Sequence, residues 1–200
     1  MAAKDKLKAY KDKRDFKKTS EPEAGTKSGY KQMFVIQKHD ASRLHYDFRL
    51  EVDGVLVSWA VPKGPSTDTR EKRLAIRTED HPVEYADFEG VIPEGEYGAG
   101  TVMVWDRGTY RNIRSDAKGK SLGNSLKEGK IEVWLNGKKI KGGYSLIKTG
   151  RDKGKERWLM IKHDDTHADA RRNPVSSQPK SVKSGKTLHK IKKADEKNSG

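Results

Sequence analysis

The chain has 200 residues, with 43 Lys and Arg against 29 Asp and Glu, a formal net charge of +14 and only 32% hydrophobic residues. Cysteine is absent, which excludes disulfides, thiolate nucleophiles and cysteine-bound zinc, so any metal must be held by His, Asp or Glu. No apolar run reaches the roughly 18 residues of a membrane span and the first residues lack a secretory signal; one folded domain in the cytoplasm, with a polyanionic partner, is expected.

In chain order, Lys4 to Phe16 reads as a short helical arm with Leu7, Tyr10 and Phe16 on one side. Ser20 to Tyr30, with Pro22, Gly25 and Gly29, reads as the loop that enters the folded part. From Met33 the pattern becomes short β-branched and aromatic runs, predicting strands near 33–38, 44–51, 55–61, 73–78, 101–106, 109–113, 131–136, 143–148 and 157–163. Val52-Asp53-Gly54 and Asn136-Gly137-Lys138 have hairpin-turn chemistry, because Asp-Gly and Asn-Gly tolerate positive φ. Closely spaced strands with little helix between them predict a mainly β, single-domain antiparallel barrel over residues 34–167, whose closure removes exposed edges. Spacing alone does not distinguish this from a two-sheet sandwich. After Asp169 the chain is polar and basic with almost nothing to bury, which predicts a disordered tail over 168–200. Charge follows this division: residues 1–33 carry +5, residues 168–200 carry +6, and the stretch between carries +3.

The segment richest in chemistry is Leu44-His45-Tyr46-Asp47-Phe48-Arg49-Leu50-Glu51. Its alternation puts Leu44, Tyr46, Phe48 and Leu50 on a core face and His45, Asp47, Arg49 and Glu51 on the other. Imidazole offers a nitrogen ligand or a proton, carboxylate binds hard cations, and guanidinium grips phosphate through a planar fork. Alternate residues of a strand stand about 6–7 Å apart, so their side chains can converge on one ligand. His39, within Gln37-Lys38-His39-Asp40, and His81, within Glu79-Asp80-His81-Pro82, are further candidates. Two histidines and a carboxylate with open positions suit Mn²⁺, Fe²⁺ or Zn²⁺, and spacing does not choose among them. The same His-x-Asp pattern fits a non-haem iron oxygenase, and the basic charge alone fits a DNA-binding repair module that catalyses nothing.

Other motifs carry less. Gly95 to Gly100 is glycine-rich but lacks the pattern of a phosphate-cradling loop, and reads as a tight bend between strands. Glu51-Val52-Asp53-Gly54 is similar to a nucleotidyl-transferase motif with glutamate in place of the lysine, so no covalent lysine intermediate can form. Trp59, Trp105, Trp134 and Trp158 fall within strand patterns and are assigned to the core.

The run from Phe34 to Glu51, FVIQKHDASRLHYDFRLE, closely resembles the 3'-phosphoesterase domain of bacterial DNA ligase D. So do Ser58 to Pro65, Glu79 to Tyr85, Phe88 to Gly95 and Trp105 to Gly108, extending the likeness over roughly residues 14–165. The resemblance implies a manganese-dependent enzyme, with other divalent transition metals as alternatives, that removes a 3'-terminal ribonucleoside and then the 3'-phosphate. DNA ends, a DNA ligase and end-joining proteins are its implied partners. By the same resemblance His39, Asp47 and His81 are metal ligands; His45, Arg49 and Tyr85 act at the phosphate; and Lys63, Arg73 and Glu79 support the site. Arg14, Asp15 and Glu21 match the family's N-terminal arm. Adenylating ligase and polymerase domains would not fit within 200 residues, so a stand-alone homologue or a separated domain is expected.

Overall fold

A computed structural model of the chain describes residues 6–23, 32–114 and 121–198. Its strands are β1 (Met33–Asp40), β2 (Leu44–Val52), β3 (Val55–Val61), β4 (Lys72–Arg77), β5 (Gly90–Ile92), β6 (Gly100–Asn112), β7 (Lys130–Gly137), β8 (Lys141–Asp152) and β9 (Lys155–Lys162). Helices α1 (Lys8–Lys11), α2 (Leu122–Glu128), α3 (Pro174–Ser177) and α4 (Leu188–Asn198) are added, with a 3-10 turn at Val83–Asp87. Antiparallel pairing runs β1-β2-β3-β4-β9-β8-β7-β6 and closes through β6 onto β1, an eight-stranded barrel rather than a sandwich. The two strands expected at 101–106 and 109–113 are one long β6, whose first residues pair with β5 and whose last pair with β7.

Period-two patterning fills the barrel. Phe34, Ile36, Tyr46, Phe48, Leu50, Trp59, Trp105 and Trp158 point inward and are buried. Trp134 departs from the expectation: its neighbours Val133 and Leu135 take the inward positions, leaving it partly exposed on the outside. Leu44 departs too, being 47% exposed at the strand's start. Asp53 (φ 51°) and Gly54 (φ 82°) make the expected tight turn. The second hairpin differs: Gly137 pairs as strand, and the chain turns through Lys138 and Lys139, whose N–H groups, with that of Ile140, donate to the buried Asp106 carboxylate.

The outside of β1, β2, β3 and β6 is not a solvent face. Val35, Leu56, Val102 and Val104 form a second apolar layer with Tyr10 of α1, Tyr85 and Ala86 of the 3-10 turn, Phe88 and Ile92. The short helix expected within Lys4 to Phe16 is thus present as α1, with Leu7 and Tyr10 buried. The entry loop expected over Ser20 to Tyr30 lies outside the described residues from position 24 onward, as does Lys4.

The C-terminal expectation is corrected over the described residues to 198. Tyr46 donates to the Val175 carbonyl, the Trp105 indole N–H donates to Gln178 O at 2.8 Å, and Ile191 is buried in the barrel cluster. Composition suggested disorder because apolar residues are few. The segment is held instead by a handful of anchors and by backbone carbonyls that satisfy buried donors of the barrel. No helix of the described residues is long and apolar enough to cross a membrane.

Candidate metal centre and phosphate cleft

A three-residue connection, Ala41-Ser42-Arg43, joins β1 to β2 and sets His39 directly opposite His45, with Gln37 opposite Asp47 and Val35 opposite Arg49. On the other side of β2, Asp47 faces Ala60 and Arg49 faces Ser58. The outward residues of this hairpin therefore gather in one patch, at the floor of a cleft of about 350 Å³.

One atom each of His39, His45 and Asp47 lies within 4.8 Å of the others. Hydrogen bonds decide which imidazole nitrogens are free. His39 Nε2 meets the Gly98 carbonyl at 2.8 Å and His45 Nδ1 meets the Arg43 carbonyl at 2.9 Å. A carbonyl only accepts, so those nitrogens carry protons, and the lone pair that each ring offers a metal when neutral is on His39 Nδ1 and His45 Nε2. Both lone-pair atoms stand 3.6 Å from Asp47 Oδ2. Burial alone would raise the Asp47 pKa, but Arg49 at 3.2 Å holds it well below the ordinary carboxylate value. Two oriented imidazoles and an ionised carboxylate form a donor set that fits a divalent transition ion, with backbone carbonyls as the outer partners such ligands use.

His81 stands apart from that trio. An isolated bridge to Leu56 fixes its backbone, its Nδ1 lies 2.9 Å from Glu79 O and 3.0 Å from Arg49 Nη1, and its Nε2 lies 3.4 Å from Arg14 Nη2. Burial and then the two guanidiniums push its pKa well below the usual histidine value, so it is neutral. Sequence reading put His81 with the metal and His45 with the phosphate; in the structure it is His45, not His81, that lies in the close group with His39 and Asp47. Residues 39 and 45 are symmetric about Ser42, the centre of the hairpin, and that symmetry was the available signal.

Arg49 is rigidly held. Its Nε donates to Gln37 Oε1 and its Nη1 to Ser58 Oγ, both at 2.8 Å, while Gln37 Nε2 donates to the carbonyls of Tyr85 and Phe88. Gln37 and Ser58 were not singled out from sequence, though each is a polar residue at an outward position of its strand, Ser58 between the apolar Val57 and Trp59.

From the arm, Arg14 Nε donates to Glu21 at 2.9 Å, its Nη1 reaches Tyr10 O and Glu79, and its guanidinium lies 3.8 Å over the Tyr10 ring. Tyr85, expected at the phosphate, lines the cleft, and its hydroxyl donates to Glu21 at 2.9 Å, which anchors the arm. Asp15 lies outside the cleft, accepting from Lys17 N in an exposed turn. Lys63 and Arg73 line a separate hollow with Pro62, Glu71, Lys72 and Leu74, where Arg73 pairs with Glu71.

Residues 37–148, which include His39, His45, Asp47, Arg49 and His81, match the family model described as the DNA Ligase D 3'-phosphoesterase domain. The chain belongs to this family. It is 46% identical over 188 residues to the multifunctional non-homologous end joining protein LigD of Pseudomonas aeruginosa, covering 91% of this chain and 22% of that protein. It is also 50% identical over 157 residues to LigD of Mycobacterium tuberculosis and 48% over 163 residues to LigD of Mycolicibacterium smegmatis, covering 78% and 80% of this chain. This LigD 3'-phosphoesterase-family chain spans about a fifth of the length of these relatives.

Proposed function

We propose that this chain is a divalent-metal-dependent phosphoesterase that removes 3'-phosphates and 3'-terminal ribonucleosides from DNA, leaving 3'-hydroxyl ends. The reading rests on one observation above all: a His39, His45 and Asp47 donor set lies beside two buried guanidiniums in a single cleft. Family membership supports the reaction class and the 3' polarity. The printed function of the relatives, non-homologous end joining, supports DNA ends, a ligase and end-joining proteins as partners.

His39, His45 and Asp47 are the proposed ligands, and manganese the expected ion. Bound there, the ion would polarise a phosphoryl oxygen as a Lewis acid. Arg49, fixed by Gln37, Ser58 and Asp47, presents its fork without having to reorganise and stabilises charge on the phosphorus-bound oxygens. Arg14 supplies the second positive group, oriented by Glu21 and Tyr10. His81, kept neutral between the arginines with its Nδ1 proton given to Glu79 O, turns its Nε2 lone pair toward Arg14 Nη2 and helps to orient that guanidinium. Glu79 pairs with Arg14 and Lys13 and positions the arm. Two arginines lining the cleft favour an anionic substrate.

The test is a labelled primer-template ending in one ribonucleotide or in a 3'-phosphate, incubated with and without Mn²⁺. Conversion to a 3'-hydroxyl that needs the ion and disappears in folded Asp47→Ala is expected. Failure of folded, metal-loaded protein on both ends would remove the proposal.

A further inference from the structure

Among the described residues, two large apolar side chains stand exposed, Leu44 at 47% and Tyr97 at 45%. They differ in direction. Leu44 lies at an inward-parity position of β2, opposite in face to His45, whereas Tyr97 lines the cleft beside His39 and Gly98.

Tyr97 sits on a stiff platform. Its loop is two successive turns, with Glu96 N donating to Pro93 O and Ala99 N to Glu96 O. Gly98 (φ 80°) and Gly100 (φ 140°) hold left-handed conformations, and a Cβ on Gly100 would stand 2.1 Å from Asp40 O. The next carbonyl, Gly98 O, is the one that orients His39. The loop that sets a candidate metal ligand therefore also fixes an exposed ring one residue away. Cations flank that ring: Lys13 Nζ lies 4.5 Å and Arg14 Cζ 5.6 Å from its centroid. Lys13 pairs with Glu79 at 3.2 Å and donates to the Tyr97 hydroxyl at 3.3 Å, a bond to the rim of the ring that still leaves the residue 45% exposed.

An aromatic face beside phosphate-complementing charges is the pairing that grips nucleic-acid strands, because every base has a π-face to stack. We infer that Tyr97 is a substrate-binding residue that stacks on the base of the nucleoside whose 3'-oxygen carries the scissile phosphate. That nucleoside is the unit shared by phosphate-ended and ribonucleoside-ended strands, so one platform serves both. The inference rests on the phosphoesterase reading of the cleft and adds to it the group that seats the base.

The experiment compares wild type, Tyr97→Ala, Tyr97→Leu and Tyr97→Phe on 3'-phosphate primers whose last nucleoside is normal or abasic, with Mn²⁺ present. Tyr97→Ala and Tyr97→Leu should raise KM about tenfold on the normal end with kcat within about twofold, and Tyr97→Phe should restore it. On the abasic end all four proteins should share the same KM. A 2-aminopurine in the retained terminal position should be quenched on binding to wild type and Tyr97→Phe, but not to Tyr97→Ala. Equal losses on normal and abasic ends, no loss on either, or quenching confined to a departing 2-aminopurine nucleoside would each overturn the stacking role while leaving the phosphoesterase reading intact. No conversion of any end by wild type would remove both.

Discussion

The N-terminal arm and the C-terminal segment carry similar excess charge, +5 over residues 1–33 and +6 over 168–200, yet the barrel uses them differently. The arm lies on the outer face of β1–β3, where Tyr10, Arg14 and Glu21 are buried against the 3-10 turn and the cleft. The C-terminal segment meets the interior cluster, where Val175, Leu188 and Ile191 pack and Gln178 O receives the Trp105 indole. Net charge describes neither role. What separates them is which few side chains meet which buried donors: the arm completes a charged site, and the tail completes an apolar core.

The comparison breaks most visibly by deletion. Removing residues 168–198 takes away the tail's contacts with Trp105 and Tyr46 and leaves the Trp105 N–H without its acceptor; Tm should fall by about 10 °C or more. Turnover should fall only in step with the folded fraction. A truncated protein that melts like the full chain would mean that the segment is dispensable to the core. The arm should respond in the opposite sense. Arg14→Lys keeps the charge but loses the fork that joins Glu21, Tyr10 O and Glu79, so turnover should drop about 100-fold with Tm lowered by a few degrees. Near-normal turnover would show that Arg14 is not part of the working cleft.

Much of this architecture was legible in the alternation of β2. Tyr46, Phe48 and Leu50 point inward, and His45, Asp47 and Arg49 share the other face, as period-two reading requires. The burial of that second face was not legible, because the covering elements are distant in sequence and one of them, α1, is only four residues long. The proximity of His45, rather than His81, to His39 and Asp47 was hidden for a related reason. Spacing says which residues share a face, but the free nitrogen of each ring is chosen by carbonyls at Gly98, Arg43 and Glu79. The ordered tail escaped notice because composition counts apolar residues, whereas its anchoring relies on carbonyls at 175, 178 and 180 meeting donors on Tyr46, Trp105 and Lys139.

A smaller effect sharpens the tail's role. Ile191 is its most buried apolar residue in α4, and Ile191→Ala should cost about 2 kcal/mol, read as a lower urea midpoint. KM and kcat of the folded protein should be unchanged, since the site lies on the other layer. A changed KM with normal stability would connect α4 to substrate instead.

The smallest effect is a pH dependence at Lys139, whose ammonium donates to Gln178 O at 3.0 Å and Lys180 O at 2.5 Å and lies 4.5 Å from the centre of the Trp105 ring. Burial pulls its pKa down to about 8, with Lys38 adding to the shift and Asp106 opposing it. The unfolded chain holds the same proton to about pH 10.4. Between those values the unfolded state binds more protons than the folded one, so the contribution of Lys139 to stability rises with pH across that window and is flat below it. Wild type should therefore gain on Lys139→Met by of order 1 kcal/mol from about pH 7 to about pH 9.5. The carbonyls that shield this amine belong to the tail, so the pH slope reports whether the tail is seated. A difference between the two proteins that stays constant with pH would mean that water reaches the amine and that the segment from 178 to 180 does not cover it in solution.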